Sequence, residues 1–253
     1  MQRYFVEKEQ FEHDKVRVLG EDARHIGKVM RGRPGDQIIV CDGAGRVALA
    51  ELESIEQGEV LAGVLEELED RSEARVRVSI AQSLPKGDKL ETVIQKCTEI
   101  GAHAFVPFLS ERTVVQYDAK KEEKRLQRWS KIAKEAAEQS HRSRIPELSQ
   151  PLTYRQLLQS FERYDLVLFC YEKEDAKQLR DLVRPFAESC AEGASSVLVV
   201  VGPEGGFTEK EAETAAAAGA SITGLGRRIL RAETAGMTAL ACILYEAGEM
   251  GGV

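Results

Sequence analysis

Apolar positions over the first 70 residues fall in short runs broken by turn residues. RYFV at 3–6, KVRVL at 15–19, QIIVCD at 37–42, RVALAELESI at 46–55 and GEVLAGVL at 58–65 are set apart by Gly20, Gly35, Gly43, Gly45 and Gly58. Short runs with glycine at the breaks predict strands, and their close spacing predicts a small barrel. One short helix is expected near Glu21 to Met30. The acidic stretch from Glu66 to Glu73 reads as a linker, so the expected division is 1–72 and 73–253.

Beyond the linker the rhythm changes to strands alternating with helices. Strands are predicted at Val76–Ser83, Ala104–Phe108, Leu166–Tyr171, Val197–Val201 and Ser221–Leu225. A helix begins at Asp88, where Glu91 three residues on makes a capping-box pattern, and Gly101 ends it. Leu90, Val93, Ile94 and Cys97 mark its apolar face. Leu126, Trp129, Ile132, Ala133 and Ala136 mark one face of a second helix, from about Lys120 to Gln139. A third runs to about Glu192. Thr208 with Glu211 opens another, ending near Gly219, and the last spans about Glu233 to Gly248. This alternation predicts a parallel α/β sheet, and the unbroken VLVVV run suits a strand buried on both faces.

Composition narrows the class. The chain of 253 residues is 43% hydrophobic and 30% charged, as an ordinary globular protein is. No apolar run approaches the ~20 residues needed to cross a bilayer, so no membrane partner is expected. The N-terminus, MQRYFVEKEQ, lacks a signal-peptide core, and a cytoplasmic location follows as an expectation. The cysteines at 41, 97, 170, 190 and 242 form no CxxC pair, and the histidines at 13, 25, 103 and 141 share no ligand spacing. Neither a disulfide framework nor a metal site is expected.

A net charge of −7 argues against gripping nucleic acid over the whole surface. Two basic stretches stand out against it. RHIGKVMRGR at 24–33 carries four Lys/Arg and no acid, and residues 120–144 carry nine Lys/Arg against four Glu. They fit phosphate contacts, and they equally fit solvated helix faces.

Ligands of open α/β sheets bind beyond the carboxyl ends of the strands. Three such loops bear chemistry: Tyr171–Glu172–Lys173, Gly202–Pro203–Glu204–Gly205–Gly206, and Gly226–Arg227–Arg228–Ile229–Leu230–Arg231. The glycines of the second permit close approach of a ligand to the backbone, and they also suit a plain turn before a helix. The loop matches neither GxGxxG nor GxxxxGK[ST], which counts against a dinucleotide or triphosphate. Arginines in the third suit a phosphate or carboxylate, and they also suit salt bridges. The final helix, AGMTALACILYEAG, is apolar nearly all round, as a helix buried in a core or against a second subunit is.

GPEGG at 202–206 followed by LGRRILRAETA at 225–235 resembles the C-terminal signature of the bacterial small-subunit (16S) ribosomal RNA uracil-N3 methyltransferases, within the SPOUT superfamily. RYFV at 3–6, HIGKVMRGRPGD at 25–36, QSLPKGDKLETVIQKCTEIG at 82–101, PFLSERTVV at 107–115 and RWSKIAKEAAEQSHR at 128–142 extend the resemblance along the whole chain. It departs at Arg227, where the family usually has Pro, and at Ala232, where it usually has Thr. The resemblance implies an N-terminal PUA-like β-barrel that helps hold RNA and a C-terminal SPOUT α/β domain with a deep trefoil knot. It implies a homodimer, and S-adenosylmethionine as cofactor for N3-methylation of a uridine in ribosomal RNA. The cofactor site so implied takes in Tyr171, Glu172, Val201, Gly202, Pro203, Glu204, Gly205, Gly206, Leu225, Gly226, Arg228, Ile229, Leu230 and Ala235. Arg231 and Glu233 are the catalytic candidates. Arg3, Arg24, Lys28, Arg31, Arg33 and Arg112 are the expected RNA contacts. The rival expectations are methylation of another RNA, a nucleotide-using metabolic enzyme, and a non-catalytic RNA-binding module. The second of these wants a glycine fingerprint that SLPKGDKL at 83–90 lacks.

Overall fold

The structure, a computed structural model, describes residues 1–114, 119–189 and 195–251, the side chains at 119–121 apart. Val115, Cys190 and the expected helix end near Glu192 lie outside the described residues. The chain divides into two compact units, Met1–Glu73 with Lys134–Ile145, and Ala74–Ala133 with Pro146–Val253.

The first unit is built on a six-stranded sheet. Its strands are β1 (Arg3–Phe5), β2 (Phe11–Glu12), β3 (Lys15–Leu19), β4 (Gln37–Cys41), β5 (Val47–Glu56) and β6 (Glu59–Leu68), in the order β1-β4-β5-β6-β3-β2. β1 pairs with β4 in parallel, and the other pairs are antiparallel. Alternate residues turn inward as strand geometry requires: Val16 and Val18, Ala48 and Ala50, Val60 and Ala62 are fully buried. The short helix α1 (Gly20–Arg24) and a wider helical turn at His25–Val29 fill the expected Glu21–Met30 position.

The returning segment Lys134–Ile145 completes this unit. Ala137 and Ile145 pack with Phe5, Cys41 and Val47. Arg142, with its side chain 5% exposed, pairs with Glu73 at 2.6 Å, and the Ser143 hydroxyl donates to Asp70. The acidic stretch 66–73 is therefore no loose linker. β6 runs on through Glu66 and Glu67, which pair with β5, and Asp70 and Glu73 are anchored by residues that lie far along the sequence.

The second unit carries a parallel sheet. Its elements in chain order are β7 (Arg77–Ser83), α2 (Lys89–Ile100), β8 (Ala104–Leu109), the first part of α3 (Ala119–Gln139), β9 (Glu147–Leu148), β10 (Leu152–Thr153), α4 (Tyr154–Gln159), β11 (Leu166–Cys170), α5 (Leu179–Ser189), β12 (Ser196–Val201), α6 (Glu209–Ala217), β13 (Ser221–Thr223) and α7 (Ala232–Glu246). The strand order is β10-β8-β7-β12-β11-β13, with β9 also paired to β8. The VLVVV strand, β12, lies between β7 and β11, and Val197 to Val201 are buried. Among the described residues the strands and helices read from periodicity are present, with ends shifted by at most three residues.

The two capping patterns part company. Thr208 caps α6, its side chain accepting from the Glu211 amide while Glu211 returns the bond to the Thr208 amide. Asp88 makes no side-chain cap, because its backbone (φ −94°, ψ 13°) is not extended as an N-cap requires. Glu91 turns instead to Arg128 at 2.7 Å. A third box, Thr153 with Gln156, opens α4. The final helix buries seven residues from Ala232 to Leu244 but leaves Cys242 exposed and Tyr245 65% exposed. Cys41, Cys97 and Cys170 are buried free thiols. Among the described residues no helix is long and apolar enough to cross a membrane, and no three His, Cys, Asp or Glu side chains converge as metal ligands.

Candidate active site

The strands β11, β12 and β13 end side by side, so the loops leaving their carboxyl ends share one space. They enclose a cavity of about 530 Å³, within the usual range for a small-molecule site. Tyr171, Glu172, Val201 to Gly206, Leu225, Gly226, Arg228, Ile229, Leu230 and Ala235 all line it, as do Arg231 and Glu233. The sequence-predicted cofactor and catalytic residues therefore stand around one opening.

Each wall has a physical cause. The loop after β12 turns sharply, with the Gly206 amide donating to the Pro203 carbonyl at 2.9 Å and Gly206 at φ +66°. A Cβ on Gly206 would sit 2.6 Å from Glu172 Oε1. Buried Phe207 anchors the loop from below, its ring centroid 4.1 Å from that of Phe169. Arg112 clamps it from the side, donating to the Gly205 carbonyl at 2.7 Å and the Phe207 carbonyl at 3.3 Å. The first and third loops are stitched together: the Tyr171 amide donates to Thr223, Gly224 to Lys177 and Leu179 to Gly224. A Cβ on Gly224 would fall 2.4 Å from the Glu174 carbonyl oxygen.

The charges are arranged unevenly. Glu204 accepts from Lys89 Nζ at 2.8 Å and from the Lys86 amide at 3.1 Å. Partial burial works to raise its carboxyl, but Lys89 and the nearby amides outweigh that and hold it below the ordinary glutamate range. Lys89 lies 3.9 Å from Glu233 Oε2, too far to hydrogen-bond, and that oxygen is buried with no hydrogen-bond partner among the described residues. Arg231 stands at the N-cap of α7 with an exposed side chain, and its carbonyl accepts from Thr234 and Ala235. The site thus offers a carboxylate oxygen that lacks a hydrogen bond among the described residues and lies 3.9 Å from the Lys89 ammonium, and it also holds the exposed Arg231 side chain.

Sequence reasoning missed Lys89, Gly224, Phe207 and the acidic pair Glu174 and Asp175, all of which line the cavity. Lys89 lies in the quoted KGDKLE segment, but only the fold carries it to Glu204. Of the expected RNA contacts, Arg24, Lys28, Arg31 and Arg33 are exposed in the first unit, Arg31 with a left-handed backbone at φ +54°. Arg3 turns inward to the Arg142 carbonyl at 2.9 Å. Arg112 is occupied with the loop carbonyls.

Known proteins agree with this geometry. Residues 72–244 match the RNA methyltransferase domain family and residues 18–65 the RNA methyltransferase PUA domain. The ribosomal RNA small subunit methyltransferase E of Bacillus subtilis is 45% identical, with 97% of each chain covered. The Neisseria gonorrhoeae enzyme of the same name, solved bound to S-adenosyl methionine, superposes with a TM-score of 0.84 at 31% identity over 97% of each chain. A Legionella pneumophila methyltransferase in complex with the same cofactor gives a TM-score of 0.84 at 30% identity over 96% of each. With the fold, the gathered loops and these relatives in agreement, this chain belongs to the RNA methyltransferase family of the ribosomal RNA small subunit methyltransferases E.

Proposed function

We propose that the protein transfers the methyl group of S-adenosylmethionine to N3 of a uridine in small-subunit (16S) ribosomal RNA. The observation that carries this reading is the convergence of three strand-end loops, two of them glycine-containing, on one cavity that Glu233 also lines, its Oε2 without a hydrogen-bond partner among the described residues. The cavity fits the cofactor's demands. Gly206 and Gly224 let the loops pack against Glu172 and the Glu174 carbonyl, where a Cβ would not fit, and the relatives of matching fold bind this cofactor.

When bound, S-adenosylmethionine supplies a methyl group already activated on sulfur, so the protein's work is orientation and proton handling. Backbone groups of 202–206 and 225–230 hold the adenosine, with Tyr171, Glu172 and Ala235 closing the walls. Uracil N3 carries a proton that must leave as the N3–carbon bond forms. Glu233 accepts it, because its carboxylate lines the cavity and its Oε2 has no hydrogen-bond partner among the described residues. Arg231 faces the negative charge that develops on the uracil oxygens. Arg24, Lys28, Arg31 and Arg33, with Arg3, hold the RNA backbone on the first unit, and Arg112 is the expected contact on the second. The same reading expects a PUA-like barrel in residues 1–72, the trefoil knot of the SPOUT superfamily in 73–253, and a homodimer that covers Cys242 and Tyr245. It places the enzyme in the cytoplasm with its substrate.

The test is a nucleotide map of small-subunit RNA from a strain lacking the gene. One N3-methyluridine should vanish and return on complementation, and a lost methyl at another atom would refute the N3 assignment. Arg231→Lys keeps charge but loses the planar fork. Its single-turnover rate should fall about tenfold, and that of Arg231→Ala further, the scale of one preorganised donor. A folded Arg231→Ala enzyme with a normal rate would remove Arg231 from the chemistry.

A further inference from the structure

A buried side chain bonded to the cavity loop plays no part in the chemistry above. Gln82 stands at the carboxyl end of β7, opposite Val201 in the register with β12, and is 1% exposed. Its Nε2 donates to the Gly202 carbonyl at 3.0 Å and to the Ser83 carbonyl at 3.2 Å. Two carbonyls on one side fix the amide's orientation, since only the nitrogen can face them. Oε1 is thereby turned away, and it is a buried acceptor with no hydrogen-bond partner among the described residues. It lies 4.0 Å from where a Cβ on Gly236 of α7 would stand.

A buried amide satisfied at one end is a poor choice for a core, which Leu or Met would fill without an open acceptor. Its value must lie in what Nε2 holds. Gly202 is the first residue of the loop that walls the cavity, and it lies directly after the last residue of β12. We propose that Gln82 is a positioning residue for the methyl-donor loop: by tying the Gly202 carbonyl to the sheet, it sets the direction in which residues 203–206 leave β12. A peptide tied this way cannot flip, so the turn closed between Gly206 and Pro203 is formed before any ligand arrives. The inference rests on the reading of that loop as the S-adenosylmethionine wall.

Two variants test it, beginning without any ligand. Gln82→Met keeps an unbranched side chain of similar length and removes the donor. Hydrogen exchange at the Gly206 amide of the free protein should rise about tenfold, the scale of one lost hydrogen bond, while the melting temperature moves by less than about 4 °C. Affinity for S-adenosylmethionine, by titration calorimetry, should fall about tenfold. Gln82→Glu gives the sharper signature. Its carboxylate repels both carbonyls, whereas its protonated form donates to Gly202 again. Affinity relative to the parent protein should therefore recover as pH falls from about 8 to about 6, because a carboxyl buried there holds its proton readily, while Gln82→Met shows no such recovery. Unchanged Gly206 exchange in Gln82→Met overturns the proposal, as does a Gln82→Glu affinity that ignores pH. Unfolding of Gln82→Met would assign the amide to the core and overturn it equally. Should the parent protein bind no S-adenosylmethionine, the cofactor reading fails, and the exchange experiment still decides the role of Gln82.

Discussion

Two glycines of the cavity make different steric demands. Gly206 combines φ +66° with a Cβ position 2.6 Å from Glu172, whereas a Cβ on Gly205 would meet only Arg112, at 3.4 Å. We expect Gly206→Ala to weaken S-adenosylmethionine binding at least tenfold, about 1.4 kcal/mol, and Gly205→Ala to bind nearly as the parent does, by calorimetry. Equal affinities would mean that Glu172 and the backbone yield at no cost. Glu204 adds a pH dependence. A carboxyl held below its unfolded value contributes stability that is full above the ordinary glutamate range and is lost as pH falls through the folded value. Glu204→Gln should accordingly flatten the acid side of the stability curve, followed by urea unfolding between about pH 5 and pH 3. The GPEGG string was legible as a strand-end loop, and it lines the cavity. Which glycine is constrained was not, since Glu172 and Arg112 reach it from distant stretches of chain.

Helix ends show what local patterns can and cannot say. Asp88 with Glu91 and Thr208 with Glu211 read alike, yet only Thr208 has the extended backbone (φ −79°, ψ 158°) that lets a side chain cap the helix. Thr208→Ala should cost about 1 kcal/mol and lower the melting temperature by roughly 2–4 °C, while Asp88→Ala should leave it nearly unchanged. A fall for Asp88→Ala as large as that for Thr208→Ala would contradict the capping difference. The Thr153 box went unread because no periodic apolar run marks α4, a helix of six residues. Element type followed from periodicity nearly everywhere. The competing partner that decides a cap, such as Arg128 for Glu91, is a tertiary fact.

At the scale of the whole chain, the change of rhythm near residue 70 was visible, because strand and helix patterns differ in period. The return of Lys134–Ile145 to the first unit was not. Its apolar positions continue one helical stripe, and only Arg142 with Glu73 and Ala137 against Phe5 show where that stripe's last turns belong. The exposed basic run bears on RNA. Charge reversal at both Arg31 and Arg33 should lower RNA affinity and flatten the slope of log affinity against log salt by roughly 1–2, the change expected for one or two lost phosphate contacts. An unaltered slope would leave these arginines as solvated charges.

The discontinuity of the first unit has a consequence during synthesis. Residues 1–73 leave the ribosome long before Lys134–Ile145, the segment that supplies Arg142 and Ser143. At roughly 5–20 residues per second the wait is about 4–14 s, during which Phe5 and Val47 lack their cover and Glu73 its cation. Nascent chains stalled before residue 134 should therefore be cut readily by protease within the first unit, and chains stalled after residue 145 with the tunnel cleared should resist. The N-terminal part of this enzyme is made first but completed late.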